Sequence, residues 1–344
     1  MFASRRDFLR CGTISTGAAV LSSASQSYAN VTEPHVVTDL RQQLLACLGG
    51  PWPEPCELRP ETYKVEQRDG YTLQWVRYNA EPEDRIPAIV MIPDGISAQS
   101  PAPAIAIWHQ HAGHWHLGKS EPAGLAGDAM HFTGVALVKR GYVVLCPDAL
   151  CFEDRQDPAG QLRKGDYERH EFLRYVVQGR CMAWKNILDM RRAIDYLVSR
   201  DDVRQDRIGC YGHSMGSTHT WLVGPWEPRI RCMVGNCCLP TYEAMHRHKL
   251  LHCFPNFVPG WQRFGDTPDM AGMIAPRALH LNLGELDKGS PIEEARAGLA
   301  KIAAAYQAAG AAAQFSYFVE ANVGHVLSPA MWQKTHEFFA QHLT

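Results

Sequence analysis

The sequence predicts an α/β fold: a mostly parallel central sheet with helices on both faces and antiparallel strands at its N-terminal end. Three observations lead there. Short apolar runs without polar alternation recur along the chain, as expected of strands buried on both faces. Helical patterns separate them, which is the alternation that builds parallel sheets. Each buried run empties into a loop rich in Gly, His or Asp, and in such sheets ligands bind beyond the carboxyl ends of the strands.

The elements follow in order. Residues 1–29 are set apart: Arg5 and Arg6 precede Phe8 and Leu9, a short Ser/Thr/Gly-containing apolar stretch follows, and Ser27 to Ala29 offer small residues for cleavage. This is the pattern of a twin-arginine export signal, which implies contact with that export machinery and a periplasmic or secreted protein. The apolar stretch is too short and polar for stable membrane insertion. Residues 30–59 form an N-terminal extension with a short helix over 39–48, closed by the prolines of 51–55. From residue 60 to 344 one catalytic domain is expected. The segments TYKVEQ, TLQWVRY and IPAIVMIP are bounded by Gly and Pro and suit antiparallel strands. The buried runs are AIAIW, YVVLC, RIGCY, RCMVGN, ALHLNL and FSYFVE. Helical patterns cover 127–140, 167–200, 217–224 and 291–309.

Composition narrows the function. The chain has 344 residues, 46% of them hydrophobic and 20% charged, with a net charge of −2. Such a chain has room for a full core but no basic field for nucleic acid. Of the eleven cysteines, those inside strand runs suit buried packing. Cys47 and Cys56 are the best candidates for a disulfide, since the expected compartment is oxidising.

The chemistry centres on Gly212-His213-Ser214-Met215-Gly216, a G-x-S-x-G placed between a buried strand and a helix. Such a turn is too tight for side chains at its flanks and lifts the serine hydroxyl out of the sheet. A serine needs a base to become nucleophilic. Asp287 and His325 are the partners, each in a loop leaving a strand; Glu285 is the alternative acid. Together, Ser214, Asp287 and His325 would act as a nucleophile, acid and base.

With these motifs the chain resembles the α/β-hydrolase superfamily, and within it the bacterial dienelactone hydrolase and acetylxylan esterase groups. The resemblance covers roughly residue 60 to the C-terminus and includes YVVLCPDAL and MIAPRALHLNLGELD. It implies an α/β-hydrolase fold and hydrolysis of a small-molecule carboxylic ester through an acyl-enzyme, with no cofactor. Two departures stand out. Ser214 occupies the place of the dienelactone hydrolase cysteine, and Ser217 follows Gly216 where many relatives have a second glycine.

The resemblance also gives the run HQHAGHWH an address. It leaves the strand whose following loop, in this superfamily, donates an oxyanion-hole amide. Aligned with the family's His-Gly-X, it reads His109-Gln110-His111, which implies that the His111 and Met215 N–H groups form the hole. Such donors are worth about 3 kcal/mol each in barrier terms. His109, Gln110, His114, Trp115, Arg155, His213 and Trp261 are candidate pocket residues. Residues 237–269, rich in aromatics, His and Pro, are a candidate lid or pocket wall. The paired H-x-H spacings and the later HRHKLLH run raise a metal site, but no H-E-x-x-H and no carboxylate cluster accompany them, so no catalytic metal is expected. Three other readings stay open: a prolyl-oligopeptidase-like amidase or peptidase, a non-catalytic binding protein on a hydrolase scaffold, and a histidine-rich metal carrier.

Overall fold

Asp39 opens the described part of the chain, residues 39–343 of a computed structural model. Its carboxylate accepts the Arg41 N–H and caps helix α1 (Leu40–Leu48), which ends at Gly49 in a left-handed conformation. The expected export signal lies outside the described residues. Cys47 and Cys56 are free thiols, contrary to the disulfide expectation. The proline-rich segment between them separates their roles. Cys47, on α1, packs against the core, and the Cys56 thiol turns to the Ala80 carbonyl at 3.7 Å.

Three antiparallel strands follow, β1 (Glu61–Arg68), β2 (Tyr71–Glu81) and β3 (Asp84–Pro93). Then come β4 (Ala102–Trp108), α2 (Thr133–Val138), β5 (Val143–Pro147), α3 (Gly165–Val177) and α4 (Met182–Val198). The rest of the chain is β6 (Val203–His213), α5 (Met215–Val223), β7 (Ile230–Asn236), α6 (Tyr242–His248), α7 (Thr267–Gly272), β8 (Ala278–Gly284), α8 (Ile292–Ala308), β9 (Phe315–Glu320) and α9 (Pro329–Leu343). Two helical expectations need correction. The helix over 127–140 shortens to α2, because Asp128 instead caps a separate turn at Ala129–His131. The helix over 167–200 is two helices: Gly179 takes φ 74, and the Cys181 N–H turns away to the Leu48 carbonyl.

The nine strands form one sheet in the order β1-β2-β3-β5-β4-β6-β7-β8-β9. Pairs among β5, β4, β6, β7, β8 and β9 are parallel, and those joining β1, β2, β3 and β5 are antiparallel. Alternation along β4 shows how both faces are covered. Ala104, Ala106 and Trp108 join the core under α1, α4, α5, α7 and α8, while Ile105 and Ile107 join the core under α2 and α9. From β4 the chain crosses to β5 on one side; from β6 it proceeds to β7 on the other. The crevice between the carboxyl ends of β4 and β6 is therefore the topological switch point, where open α/β sheets hold their ligands. No helix of the described residues is long and apolar enough to cross a membrane.

Candidate active site

Ser214 stands at that crevice, in the turn from β6 into α5, with φ 58 and ψ −117. Such a positive φ persists in a non-glycine residue where the surrounding structure holds it, and here the turn is packed tightly on both flanks. A Cβ at Gly212 would meet the Gly216 carbonyl oxygen at 2.0 Å, and one at Gly216 would meet the Trp108 carbonyl oxygen at 1.9 Å. Glycine at both positions is thus a packing requirement. The Ser214 N–H is fixed by the Asn236 carbonyl at 2.9 Å, while Met215 opens α5, so its N–H has no acceptor in the preceding turn.

Ser214 Oγ lies 2.8 Å from His325 Nε2, and His325 Nδ1 lies 2.8 Å from Asp287 Oδ2. The other Asp287 oxygen accepts the Gly289 N–H at 2.8 Å. This network assigns the proton of His325 to Nδ1, which donates to Asp287 and leaves Nε2 to accept from the serine hydroxyl. Asp287 is 2% exposed, whereas the His325 side chain is 40% exposed. The buried end therefore orients the open end. Glu285, the alternative acid, instead accepts the Asn322 N–H at 3.0 Å.

His111 leaves β4 beside this turn, for Trp108 pairs with Gly212 across the parallel ladder. Its neighbours stabilise the loop. His109 is buried; its Nδ1 donates to the Gln110 carbonyl at 2.7 Å and its Nε2 accepts the Ala149 N–H at 3.0 Å. Gln110 donates to Glu121 at 2.9 Å.

The cleft over Ser214 has a volume of about 400 Å³ and is walled by Leu251, His252, Cys253, Leu286, Lys288 and Gly289. Leu251 and Leu286 are strongly exposed there, at 99% and 58%. His252 donates its Nε2–H to the Gly289 carbonyl at 2.6 Å, and burial lowers its pKa.

Most expected pocket residues do other work. Trp261 is fully buried in the core and donates to the Asp266 carbonyl, because the segment after α6 folds inward at that point. Arg155 is buried between Asp189 at 2.7 Å and Asp84 at 2.9 Å. Burial opposes the charge of Asp84, but Arg155 and Lys185 outweigh it and bring that carboxyl down to about 2. His213 is buried beneath the base, its ring 5.1 Å from His325 and 4.7 Å from His131. Burial, and then those two imidazoles, hold its pKa well below the usual range, and it accepts from Asn236 at 2.7 Å. His114 and His116 are exposed with rings 5.6 Å apart, and the Trp115 indole donates to Glu168 at 2.7 Å. The cleft wall at 251–253 does fall within the stretch 237–269. Sequence reasoning missed Leu286 and Lys288, although their places beside Asp287 were a usable signal.

Among the described residues, one group of side chains could gather around a cation: Asp148, Glu153 and Asp154. Lys119 Nζ already fills it, 2.8 Å from an oxygen of each. Burial would lower the pKa of that ammonium, but the three carboxylates outweigh burial and raise it.

The fold and the serine turn define an α/β-hydrolase. The chain belongs to the Abhydrolase family, whose model matches residues 53–326. It is 30% identical over 277 residues to the "Putative hydrolase YtaP" of Bacillus subtilis (strain 168), covering 79% of this chain and 88% of that one. Among solved structures, it is similar to a "putative acetyl xylan esterase" from Bacteroides fragilis NCTC 9343, with a TM-score of 0.65 at 19% identity over 82% of this chain and 73% of that one. It also resembles a glucuronoyl esterase from Solibacter usitatus, with a TM-score of 0.64 at 16% identity over 87% and 91% of the two chains. At these identities the structural likeness speaks for the fold.

Proposed function

We propose that the protein is a serine hydrolase of carboxylic esters. The observation that carries this reading is the continuous hydrogen-bonded chain from Asp287 through His325 to Ser214 Oγ, ending in an open cleft. Ser214 Oγ attacks the ester carbonyl carbon as His325 Nε2 takes its proton. Asp287 holds the imidazole in the productive tautomer and stabilises the imidazolium. The His111 and Met215 N–H groups receive the oxyanion. His325 then passes the proton to the departing alkoxide, which leaves an acyl-serine. Water attacks that acyl group with His325 as base, releasing the carboxylic acid and restoring Ser214. Burial makes the neighbouring His213 a poor base, since protonating it would place a charge in the core.

Esterase names among the structural neighbours support the ester preference. Leu251 and Leu286 give the cleft an apolar entrance suited to an acyl or alkyl group. The arginine pair at positions 5 and 6 supports export by the twin-arginine route. The test is a panel of nitrophenyl esters and aminoacyl-anilides offered to the wild type and to Ser214→Ala. Ester turnover lost in the variant supports the reading. Turnover that survives in Ser214→Ala, or preference for the anilides, contradicts it.

A further inference from the structure

Glu168 lies in α3, outside the sheet, and the reaction as drawn does not use it. It is 2% exposed. Its Oε2 accepts two N–H groups from the loop after β4, His111 Nε2 at 2.9 Å and Trp115 Nε1 at 2.7 Å. Its Oε1 is buried with no hydrogen-bond partner among the described residues. Burying a carboxylate with one oxygen unpaired costs stability. Filling space beneath α3 therefore does not explain a glutamate. What the carboxylate supplies is one oxygen that binds two donors of the same loop.

His111 is held on its other side as well. Its Nδ1 accepts the Gly113 N–H at 2.9 Å, so its proton sits on Nε2 and both ring nitrogens are engaged. The rings of Phe152 and Trp115 stand edge-on to it at 5.0 and 5.1 Å. The next residue, Ala112, has a positive φ of 46. A side chain fixed at this many points restricts the backbone that carries it. Helix α3 is itself anchored, since Phe172 stacks on Phe254 at 4.7 Å.

We propose that Glu168 is a positioning residue: through the His111 imidazole it sets the direction of the His111 N–H toward the oxyanion. The inference rests on the ester-hydrolase reading and on His111 as one of the two oxyanion donors. It makes α3, a helix remote in sequence from Ser214, a strut for transition-state stabilisation. Displacing a donor by a fraction of its hydrogen-bond length is costly because the hole acts by fixed geometry.

The wild type is first tested for turnover of nitrophenyl acetate and for labelling by a fluorophosphonate. Absence of both overturns the hydrolase reading and this inference with it. Given turnover, Glu168→Ala should lower kcat by about 10- to 100-fold with KM changed less than about threefold. Affinity for an alkyl boronic acid, whose serine adduct is tetrahedral, should fall in parallel with kcat. Glu168→Gln should recover most of the lost kcat, because one amide oxygen can accept both N–H groups. A kcat in Glu168→Ala within about twofold of wild type overturns the proposal and leaves the hydrolase reading standing. So does a loss confined to KM, or a kcat loss with boronate affinity unchanged. If Glu168→Ala does not fold, His111→Ala decides by the same readouts, since it removes the clamp from a loop while keeping the backbone N–H.

Discussion

Two stretches of the sheet's carboxyl rim carry buried charge, and they use it in opposite ways. Beyond β6, β8 and β9, the polar chain starts at buried Asp287 and ends at a hydroxyl in an open cleft. Beyond β5, the charges close on one another. Lys119 is surrounded by three carboxylates, and Arg155 and Lys185 share Asp84 and Asp189. Both stretches gather polar residues where an α/β sheet binds ligands. The difference is whether the last atom of the chain of contacts faces solvent. A closed set of ion pairs orders the loops around it, whereas an open-ended one can act on a substrate.

The largest effect is expected at the open end: Ser214→Ala should lower kcat by about 10⁴-fold or more. Its melting temperature, followed by calorimetry, should stay within about 2 °C of wild type. The closed end should show the reverse. Lys119→Met leaves three carboxylates facing one another without their cation, so urea unfolding should report a loss of about 3–5 kcal/mol. Steady-state kinetics of the folded fraction should give a kcat within about threefold of wild type. Equal effects on activity at the two ends would erase the distinction.

The third effect is pH-dependent. His219 borders the same closed region, sharing a cavity with Asp148 and Asp189, and burial lowers its pKa to about 3 from an ordinary 6.5. The unfolded chain then binds the proton that the folded one refuses. The stability from a neutral His219 is therefore complete above about 6.5 and is lost as pH falls through the window down to about 3. Melting curves from pH 7 to pH 4 should show this decline, and His219→Gln should flatten it. The smallest effect is expected at the exposed pair. Replacing His114 and His116 together by Ala should change kcat/KM by less than about twofold. Incubation with EDTA should be equally silent, since Lys119 occupies the carboxylate group that could gather a cation.

Much of the fold was legible because it is written locally. All nine strands fall on segments read from the sequence, the first three bounded by Gly and Pro and the other six as short apolar runs, and the serine turn is announced by glycines that the backbone contacts require. The cleft walls were less legible. His252 reaches the site by bonding to Gly289, a partner 37 residues away, and no periodicity encodes that return. Arg155 and Trp261 misled for a common reason. A charged or aromatic residue near a predicted rim looks available, yet Arg155 finds partners at Asp84 and Asp189, and Trp261 finds the core. The helix over 167–200 hid its break because the Cys181 N–H, just past the positive-φ Gly179, bonds to Leu48 at the far end of the N-terminal helix.

The most direct measurement is mass spectrometry of the protein after exposure to a fluorophosphonate, with the modified peptide sequenced. A single adduct on Ser214 is expected, formed quickly in the wild type and much more slowly in Asp287→Asn. No adduct, or one placed on a different residue while ester turnover persists, would contradict it.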